Sequence, residues 1–556
     1  MMVAMLIAAC GNTTTTPPAT VQTSYNYKTP THKGGSLLIS DWQFPDSTNP
    51  LFTTTVVDVE VQEALWANPV TVTSDAKYAA DQLTEVPTTT NGDVSKDGLT
   101  VTMKLRHDLV WSDGQPLTSD DYIYYIKTLL DNNTGAASQQ GFTPDTLASY
   151  TNPDPYTVVL KYVNPFASYL AFLPVALPKH LWGSITDAQL ANQQNINLTP
   201  SVTDGPFVVS DYASQQSFTL TPNPKYKSTT LHATVLDQLI FKGYSNKDTL
   251  IAGFKASETD FATDFTVADL SKLAGIPGLQ QSPAIESEHM DFNLATPVLQ
   301  DVNVRKAIAQ GIDRCQIITK LLGRMCSQNF TDNLTPTPSP LFDPNLKGYS
   351  FSVAMAKADL QASGWDCSKA PTSPCTKGGQ NFPTLNLATR AGNQVRADTI
   401  SIIKDDLAQV GIPINIDNEL FGGSFFGDFA SGGILATGKY DLSVFAYSYP
   451  LDYYGALGYF QSSQIPSAAN PAGGNYERVN DPMVDQLISQ GNQAIDPATH
   501  TKIYKQLLAY ISQQMYELPL YIRPNINLVD NRFGNFFPNP TSQGQTWDAG
   551  DWFAKS

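Results

Sequence analysis

The second half of the chain alternates between amphipathic helical segments and short apolar strand-like segments, and this alternation restricts the fold more than any other feature. The segments with helical periodicity are VNVRKAIAQGIDRCQIITKLL, VAMAKADLQASG, RADTISIIKDDLAQVG, MVDQLISQGNQ and TKIYKQLLAYISQQM. The strand-like segments between and after them are FPTLNLAT, IPINIDN, YDLSVFAYS and ELPLYIR. Strands and helices that alternate along a chain pack as α/β layers, so the pattern predicts a mostly parallel sheet in each lobe.

The first half is richer in strand-like segments, among them GGSLLISDWQF, TVVLKY and FVVSDY. Between the first two, VVDVEVQEALW predicts a short helix with Val57, Val61, Ala64 and Leu65 on one face. The segment TSDDYIYYIKTLLD predicts a second helix, because a Thr-Ser cap precedes two acids in its first turn.

The length of the chain, 556 residues, predicts more than one lobe. A single hydrophobic core stops growing well below this size, so each lobe must bury an apolar face of its own. No Gly/Ser-rich linker separates the two halves. We therefore expect strands that cross between the lobes.

The charge balance excludes several partners. Asp and Glu number 51 and Lys and Arg number 34, which gives a formal net charge of -17. Nucleic acid is bound through clustered Lys and Arg, and the sequence contains no such cluster. Beyond residue 9, no window approaches the roughly 18 apolar residues of a membrane-spanning helix. Any hold on a membrane is therefore expected at the N-terminus.

The first ten residues, MMVAMLIAAC, resemble a bacterial lipoprotein signal in which small residues precede a cysteine that receives lipid. The resemblance implies a signal peptide over residues 1–9 and lipid attachment at Cys10. Residues 10–33 are rich in Thr and Pro and are predicted to form a disordered tether. No Lys or Arg precedes the apolar run, which departs from a secretory signal and leaves the translation start open.

Four further cysteines, Cys315, Cys326, Cys367 and Cys375, allow three disulfide connectivities outside the cytoplasm. We expect the sequence-local pairing, Cys315 with Cys326 and Cys367 with Cys375, since the second pair brackets the turn-rich segment SKAPTSP. A zinc site is disfavoured because no CxxC motif and no neighbouring histidine occur.

The segment DGLTVTMKLRHDLVWSDGQPLTSDDYIYYI resembles the signature of family 5 solute-binding proteins of ABC importers, the oligopeptide-, dipeptide- and nickel-binding class. The resemblance continues in family order through six further segments. These are LPKHLW, DGPFVVSDY, LTPNPKYKSTT, LDQLIFKGYSNKDTLIAGFKASETDF, MDFNLATPVLQDVNVRKAIAQGIDR and KYDLSVFAYSYPLDYY.

The resemblance implies an α/β fold with the two lobes of a periplasmic-binding-protein-like clamp, type II, class C. Lobe I would comprise residues 34–286, with an additional subdomain inserted at about 57–199. Lobe II would comprise residues 287–517, and residues 518–556 would return to lobe I. A solute would bind between the lobes and stabilise their closure.

The resemblance also places ligand-binding residues in the loop after a lobe II strand, YSYPLDYYG. Peptide binders of the family hold the ligand's ammonium with an acid here, but the aligned residue in this chain is Pro450. Asp452, two residues on, is the acid within reach. Tyr447, Tyr449 and Tyr453 offer flat aromatic walls with hydroxyl groups at their tips, which suit a peptide backbone or a sugar ring.

Other positions match cleft-lining loops of the family. In lobe I these are Trp42 and the stretch Thr53 to Val56, which includes Thr54 and Thr55. In lobe II they are Arg390, a partner for a carboxylate, and Asn393. Tyr521 enters the last crossover and is a further candidate. Arg305, although part of a family motif, is interpreted as structural because of its helical setting.

The predicted function is that of an extracytoplasmic, lipid-anchored, monomeric solute receptor. It would bind a peptide-like ligand and deliver it to ABC permease subunits, with no cofactor, no resident metal and no nucleic acid. An oligosaccharide or other non-peptide solute, and a sensing role, remain open. An extracellular hydrolase is the alternative of another class, but GxSxG, HExxH and Walker motifs are absent. The six histidines show no metal-ligand spacing, so nickel binding is disfavoured.

Overall fold

The computed structural model of the protein describes residues 20–21, 26–53, 55–131, 133–134, 136, 142–143, 146–190, 192–324, 326–391, 393–420, 425–448, 451, 457–471, 473–541 and 543–555. Cys10, Thr54, Tyr449, Asp452 and Tyr453 lie outside these ranges. Tyr447 is described by its backbone alone.

The first half contains short helices among many strands. Its elements are β1 Thr20–Val21, β2 Ser36–Asp41, α1 Val56–Leu65, β3 Val70–Val72, β4 Tyr78–Ala80, β5 Thr100–Lys104, α2 Ser119–Leu130, β6 Leu147–Asp154, β7 Thr157–Tyr162, α3 Lys179–Trp182, α4 Asp187–Leu190, α5 Gln194–Asn197, β8 Phe207–Ala213, β9 Ser217–Pro222, β10 Gln238–Gly243, α6 Lys247–Lys255, β11 Phe261–Phe265, α7 Leu270–Leu273 and β12 Leu279–Phe292.

The second half contains longer helices and ends in a long strand. Its elements are α8 Val302–Gly311, α9 Arg314–Leu321, α10 Cys326–Asn329, α11 Val353–Ala362, β13 Thr376–Lys377, β14 Gln380–Asn381, β15 Leu385–Arg390, α12 Gln394–Val410, β16 Ile414–Leu420, α13 Ile434–Thr437, β17 Leu442–Ser448, α14 Pro482–Gln493, α15 Pro497–Gln514, β18 Glu517–Val529, β19 Phe533–Gly534 and β20 Phe553–Ala554.

One sheet runs through both lobes in the order β16-β15-β17-β12-β18-β11-β2-β10-β9-β8, with β1 beside β12. Strand β2 is parallel to β10 and β11, and β15 is parallel to β16 and β17. The pairs formed by β12 with β17 and β18, and by β9 with β8 and β10, are antiparallel. The sheet is therefore mixed. The prediction of a mostly parallel sheet in each lobe is wrong, because helix crossovers connect only some neighbouring strands.

The predicted helix over VNVRKAIAQGIDRCQIITKLL is interrupted and forms α8 and α9. Asp313 lies between the two helices, and its side chain accepts a hydrogen bond from the backbone N–H of Gln316 at 2.9 Å. The carboxylate of Asp406 accepts a hydrogen bond from the Asp313 N–H at 2.9 Å. Asp313, an N-cap in the middle of the predicted helical segment, thus separates α8 from α9.

The inserted subdomain is built on the small sheet β5-β7-β6, which is separate from the central sheet. Helix α2 packs against it and buries Tyr122, Ile123, Ile126 and Leu129. These side chains belong to the same hydrophobic core as those of β2 and α1. The bounds predicted for the subdomain and for the lobes remain proposals.

Two long antiparallel strands, β12 and β18, connect the lobes. Their ladder is interrupted between Pro283 and Ser287, next to the directly paired residues Pro283 and Pro524. Proline has no N–H to donate, so two facing prolines weaken the ladder at this point. The crossing strands that the missing linker led us to expect are present.

Disulfide bonds join Cys315 to Cys326 and Cys367 to Cys375, which is the sequence-local pairing. The Cα atoms of the two pairs lie 4.9 and 4.3 Å apart. In the described ranges, no helix would serve as a membrane-spanning segment.

Candidate functional site

A cavity of about 510 Å³ lies where the crossing strands leave lobe I. Its walls come from the start of α1, the end of β11, both crossing strands and the C-terminal segment 540–545. The residues that line it are Thr53, Thr55, Val56, Val59, Glu60, Thr263, Asp264, Phe265, Thr266, Val267, Ala284, Ile285, Glu286, Arg523, Pro524, Asn525, Ile526, Asn527, Pro540, Thr541, Gly544 and Gln545. A volume of this size is typical of small-molecule sites.

Two acidic side chains of lobe I, Glu60 and Asp264, line one end of this cavity, and a third, Asp41, lies close enough to interact with both. Glu60 is buried and its Oε1 accepts a hydrogen bond from the Thr263 hydroxyl at 3.2 Å. Burial, together with the charges of Asp41 and Asp264, raises the pKa of Glu60 well above its usual value. Burial and the Asp264 carboxylate also raise the pKa of Asp41, to about 7. This end of the cavity therefore disfavours additional negative charge and favours a cationic group.

Asp264 is held in place by lobe I. Its backbone adopts a left-handed conformation, with φ of 58°. Its Oδ2 accepts hydrogen bonds from Trp42 Nε1 at 2.5 Å and from Gln43 Nε2 at 3.3 Å. Lys247 Nζ lies 5.6 Å from the centre of the Trp42 ring. Trp42 is 36% exposed and does not line the cavity itself. Its indole N–H positions the carboxylate of Asp264, which does.

A chain of ion pairs runs from the opposite wall of the cavity into lobe II. Arg523 pairs with Glu286 and lies 3.8 Å from Glu288 Oε2. Arg396, from α12, pairs with the same Glu288 and donates a second hydrogen bond from Nη2 at 3.2 Å. The four charges balance, so this wall presents hydrogen-bonding groups without a net charge.

The inserted subdomain also contacts lobe II directly. The backbone N–H of Ala167 donates to the carbonyl of Asn492 at 3.3 Å. Gly98 has a φ of +70° two residues before β5, and a Cβ added there would lie 2.3 Å from Ile495. Only glycine fits both this backbone conformation and this close contact. The inserted subdomain therefore contacts the end of α14 and the loop after it.

The lobe I candidates lie at the cavity. Thr55 lines it, but its hydroxyl also caps α1, accepting a hydrogen bond from the Asp58 N–H at 3.3 Å. Thr53 and Val56 line it as well. Their contact with a solute stays a prediction.

Three lobe II candidates have side chains in the described part of the chain, and none of them lines the cavity: Arg390, Asn393 and Tyr521. Asn393 caps α12, its side chain accepting from the Arg396 N–H at 3.1 Å, and Arg390 is exposed at the end of β15. Tyr521 is 1% exposed in the core of lobe II, and burial raises the pKa of its hydroxyl. In this structure Tyr521 packs in the core of lobe II and does not line the cavity, and its contact with a solute stays a prediction.

Sequence reasoning missed Glu60, Asp264, Glu286 and Arg523. Glu60 carried a usable signal, because it falls on the apolar face of α1 beside Val57 and Val61. A buried acid is costly unless it is paired or hydrogen-bonded, so an acid on the core-facing side of a helix marks a candidate site. The other three were hidden, since the ends of strands that form the cavity wall meet only after folding.

The chain was compared with known proteins. Residues 80–467 match the family described as bacterial extracellular solute-binding proteins, family 5. A protein of Brucella ovis, provisionally named an ABC transporter peptide-binding protein, is 25% identical over 476 residues, which are 82% of each chain.

Solved structures show the same fold. The oligopeptide-binding protein AppA from Bacillus subtilis, in complex with a nonapeptide, has a TM-score of 0.68 at 19% identity and covers 95% of this chain and all of its own. NikA from Brucella suis, in complex with Fe(III)-EDTA, has a TM-score of 0.76 at 19% identity and covers 94% of this chain and all of its own.

Proposed function

This chain belongs to family 5 of the bacterial extracellular solute-binding proteins, and from that premise we propose that it captures a peptide-like solute between its lobes and delivers it to the permease of an ABC importer. As a solute-binding protein of this family it is not an enzyme. The observation that carries the proposal is the cavity of about 510 Å³ at the crossing strands.

The chemistry of the cavity supports a peptide-like ligand. The acidic end formed by Glu60 and Asp264 suits an ammonium or a basic side chain, while Arg523 and Asn525 offer donors for carbonyl groups. Asp264 can supply the acid that is absent at Pro450, in addition to the predicted Asp452. A peptide combines a cationic terminus with repeating carbonyls, so it complements both walls.

Closure requires contacts from lobe II in addition to those of the cavity. Lobe I contributes Thr55 and Asp264 to the cavity, and the crossing strands contribute Glu286 and Arg523. A solute that is held on these walls and also contacts lobe II lowers the free energy of the closed state more than that of the open state. The ladder interruption at Pro283 and Pro524 is the place where the strands would bend.

Filling the cavity tests the proposal. Val56 lines the cavity and is 60% exposed, so Val56→Trp places an indole in the solute volume without overpacking a core. We expect solute affinity to fall at least about tenfold with the free energy of unfolding unchanged within about 0.5 kcal/mol. Native mass spectrometry of protein purified from its host identifies the solute, and calorimetric titration measures its affinity.

Val163→Trp is the matched control, because Val163 is also an exposed valine, 45% exposed, and does not line the cavity. It should bind as the wild type does. If Val56→Trp binds the solute as tightly as the wild type, the proposed location of the site is wrong. If the retained solute is not a peptide, the proposed ligand class is wrong.

We further propose that lipid on Cys10 holds the protein at the outer face of the cell membrane. In Cys10→Ala we expect the protein to move from the membrane fraction to the medium or the periplasm. The variant would lack the acyl chains on Cys10, and more than one such chain is needed for stable anchoring. Fractionation and intact mass measure this. A wild-type mass without acyl chains would refute the anchor and leave the solute proposal intact.

A further inference from the structure

Two neighbouring strands of the central sheet bring a histidine and two acids together inside lobe II. His289 and Asp291 are two residues apart on β12 and therefore point to the same face. Glu517 on β18 is the direct cross-strand partner of Asp291. One nitrogen or oxygen atom from each of the three lies within 4.8 Å of the others, and all three residues are at most 2% exposed.

The cross-strand acid pair is unfavourable by itself. Like charges directly opposite each other destabilise a sheet, and burial increases the cost. Among the described residues, no lysine or arginine forms an ion pair with Asp291 or Glu517. Glu477, 4% exposed, adds a third carboxyl beside Asp291. The cluster therefore concentrates carboxyl groups, and a basic side chain nearby, Arg478, interacts with Glu477.

The carboxylates have oxygen atoms available. Asp291 Oδ2 accepts a hydrogen bond from the Ser443 hydroxyl at 3.2 Å, whereas its Oδ1 and Oε1 of Glu517 are buried and have no hydrogen-bond partner. Buried polar atoms are nearly always paired in folded proteins. Two such oxygens directed at one histidine indicate a missing cationic partner.

The histidine ring fits the same interpretation. Its Nδ1 lies 3.3 Å from the Ser287 carbonyl and 3.5 Å from Glu517 Oε1, and its Nε2 lies 3.3 Å from Asp291 Oδ1. When Nδ1–H donates to the carbonyl, Nε2 and Oδ1 face each other with lone pairs. Adjacent ligand atoms around a cation with bonds of ~2.1 Å lie roughly 3.0–3.5 Å apart. A metal-bound histidine commonly donates its other N–H to a backbone carbonyl in this way.

We propose that His289, Asp291 and Glu517 bind a divalent cation such as Zn²⁺ or Mn²⁺, with Glu477 as a further carboxylate beside them. One imidazole combined with carboxylates suits these ions, whereas a blue-copper or iron–sulfur site would need thiolate ligands. The site differs from the solute cavity, since none of the four residues lines it. The cation joins the C-terminal end of β12 to Glu517, the first residue of β18.

The experiment uses the full-length protein, stripped with EDTA and dialysed against ZnCl₂ or MnCl₂. We expect one equivalent of metal by mass spectrometry of the elements and a higher melting temperature with metal than without. Asp291→Asn and Glu517→Gln should each weaken binding at least about tenfold. His180→Asn is the control, because His180 Nε2 lies 2.9 Å from Asp113 in a partly exposed pair of the same residue types.

The proposal is overturned if the wild-type protein takes up neither metal and has the same melting temperature with and without metal. The carboxyl groups of the cluster would then share a proton instead of binding a cation. So would variants that bind metal as tightly as the wild type. If the variants do not fold, Co²⁺ bound to the wild type decides the question: X-ray absorption must show oxygen ligands and a single imidazole. A spectrum with several imidazoles, or with none, would exclude this site.

Discussion

Replacing Arg305 with alanine is expected to lower the free energy of unfolding by about 3–5 kcal/mol. Arg305 is 3% exposed and donates to the carbonyls of Leu299, Gln300, Gln514 and Met515 at distances between 2.6 and 3.1 Å. Two of these carbonyls belong to the C-terminal end of α15 and its first following residue. Alanine would leave them buried without donors, and the connection between α8 and α15 would be lost.

Urea unfolding followed by circular dichroism measures the effect. Arg305→Lys keeps the charge but not the planar fork of donors, so it should fall between alanine and the wild type. Arg390→Ala is the control, because Arg390 is exposed, and it should change stability by no more than about 0.5 kcal/mol. An Arg305→Ala midpoint equal to that of Arg390→Ala would show that the network does not stabilise the fold.

The second large effect concerns pH. Asp204 is 5% exposed, and burial raises the pKa of its carboxyl from 3.8 to about 7 although the Ala67 N–H and Gln82 Nε2 donate to it at 3.1 and 2.7 Å. Between pH 4 and pH 7 the folded protein keeps this proton and the unfolded chain has lost it. Stability therefore decreases as pH rises through this window, by up to about 1.4 kcal/mol per pH unit for this group.

Asp204→Asn should remove this contribution, because the amide does not titrate. The difference in unfolding free energy between pH 5 and pH 8 is expected to shrink by roughly 2–3 kcal/mol relative to the wild type. The hydrogen bonds of Gln82 can be kept in the variant. Its side-chain amide can rotate so that its oxygen accepts from the amide introduced at position 204 and its NH₂ group donates to the Tyr122 hydroxyl, which now donates to Gln82 at 2.6 Å and can also accept.

Asp211→Asn serves as the control for the pH experiment, because Asp211 is exposed on β8 and stays hydrated in both states. Its variant should keep the wild-type pH dependence. An unchanged slope in Asp204→Asn would mean that Asp204 is ionised in the folded protein. Other acids of lobe I whose pKa is raised by burial, such as Glu63 with a pKa of about 7, would then account for the slope.

Local patterns predicted the helices that have clear caps. Helix α1 begins after Thr55 and buries Val57, Val61, Ala64 and Leu65, as their shared face predicts. Helix α2 begins after Thr118 with Asp120 and Asp121 in its first turn. Caps and amphipathic faces are properties of consecutive residues, so they are readable without knowing the fold.

The direction and continuity of the sheet were not readable in this way. The strand-like segments β15, β16 and β17 were expected, but the antiparallel insertion of β12 and β18 beside them was not. Periodicity gives a strand and its buried face, whereas the neighbour it pairs with depends on residues hundreds of positions away. The resemblance to a family supplied the two lobes, which periodicity alone could not.

The sequence by itself determined the family, the two-lobed α/β clamp and most of the capped helices, because ordered motifs, hydrophobic periods and caps are encoded in neighbouring residues. Only the tertiary structure decided that Glu60, Asp264, Glu286 and Arg523 surround one cavity, and that His289, Asp291 and Glu517 meet inside lobe II. The physical reason is that charged groups become a site when strands distant in sequence are paired and buried together. Burial then alters what those charges can bind.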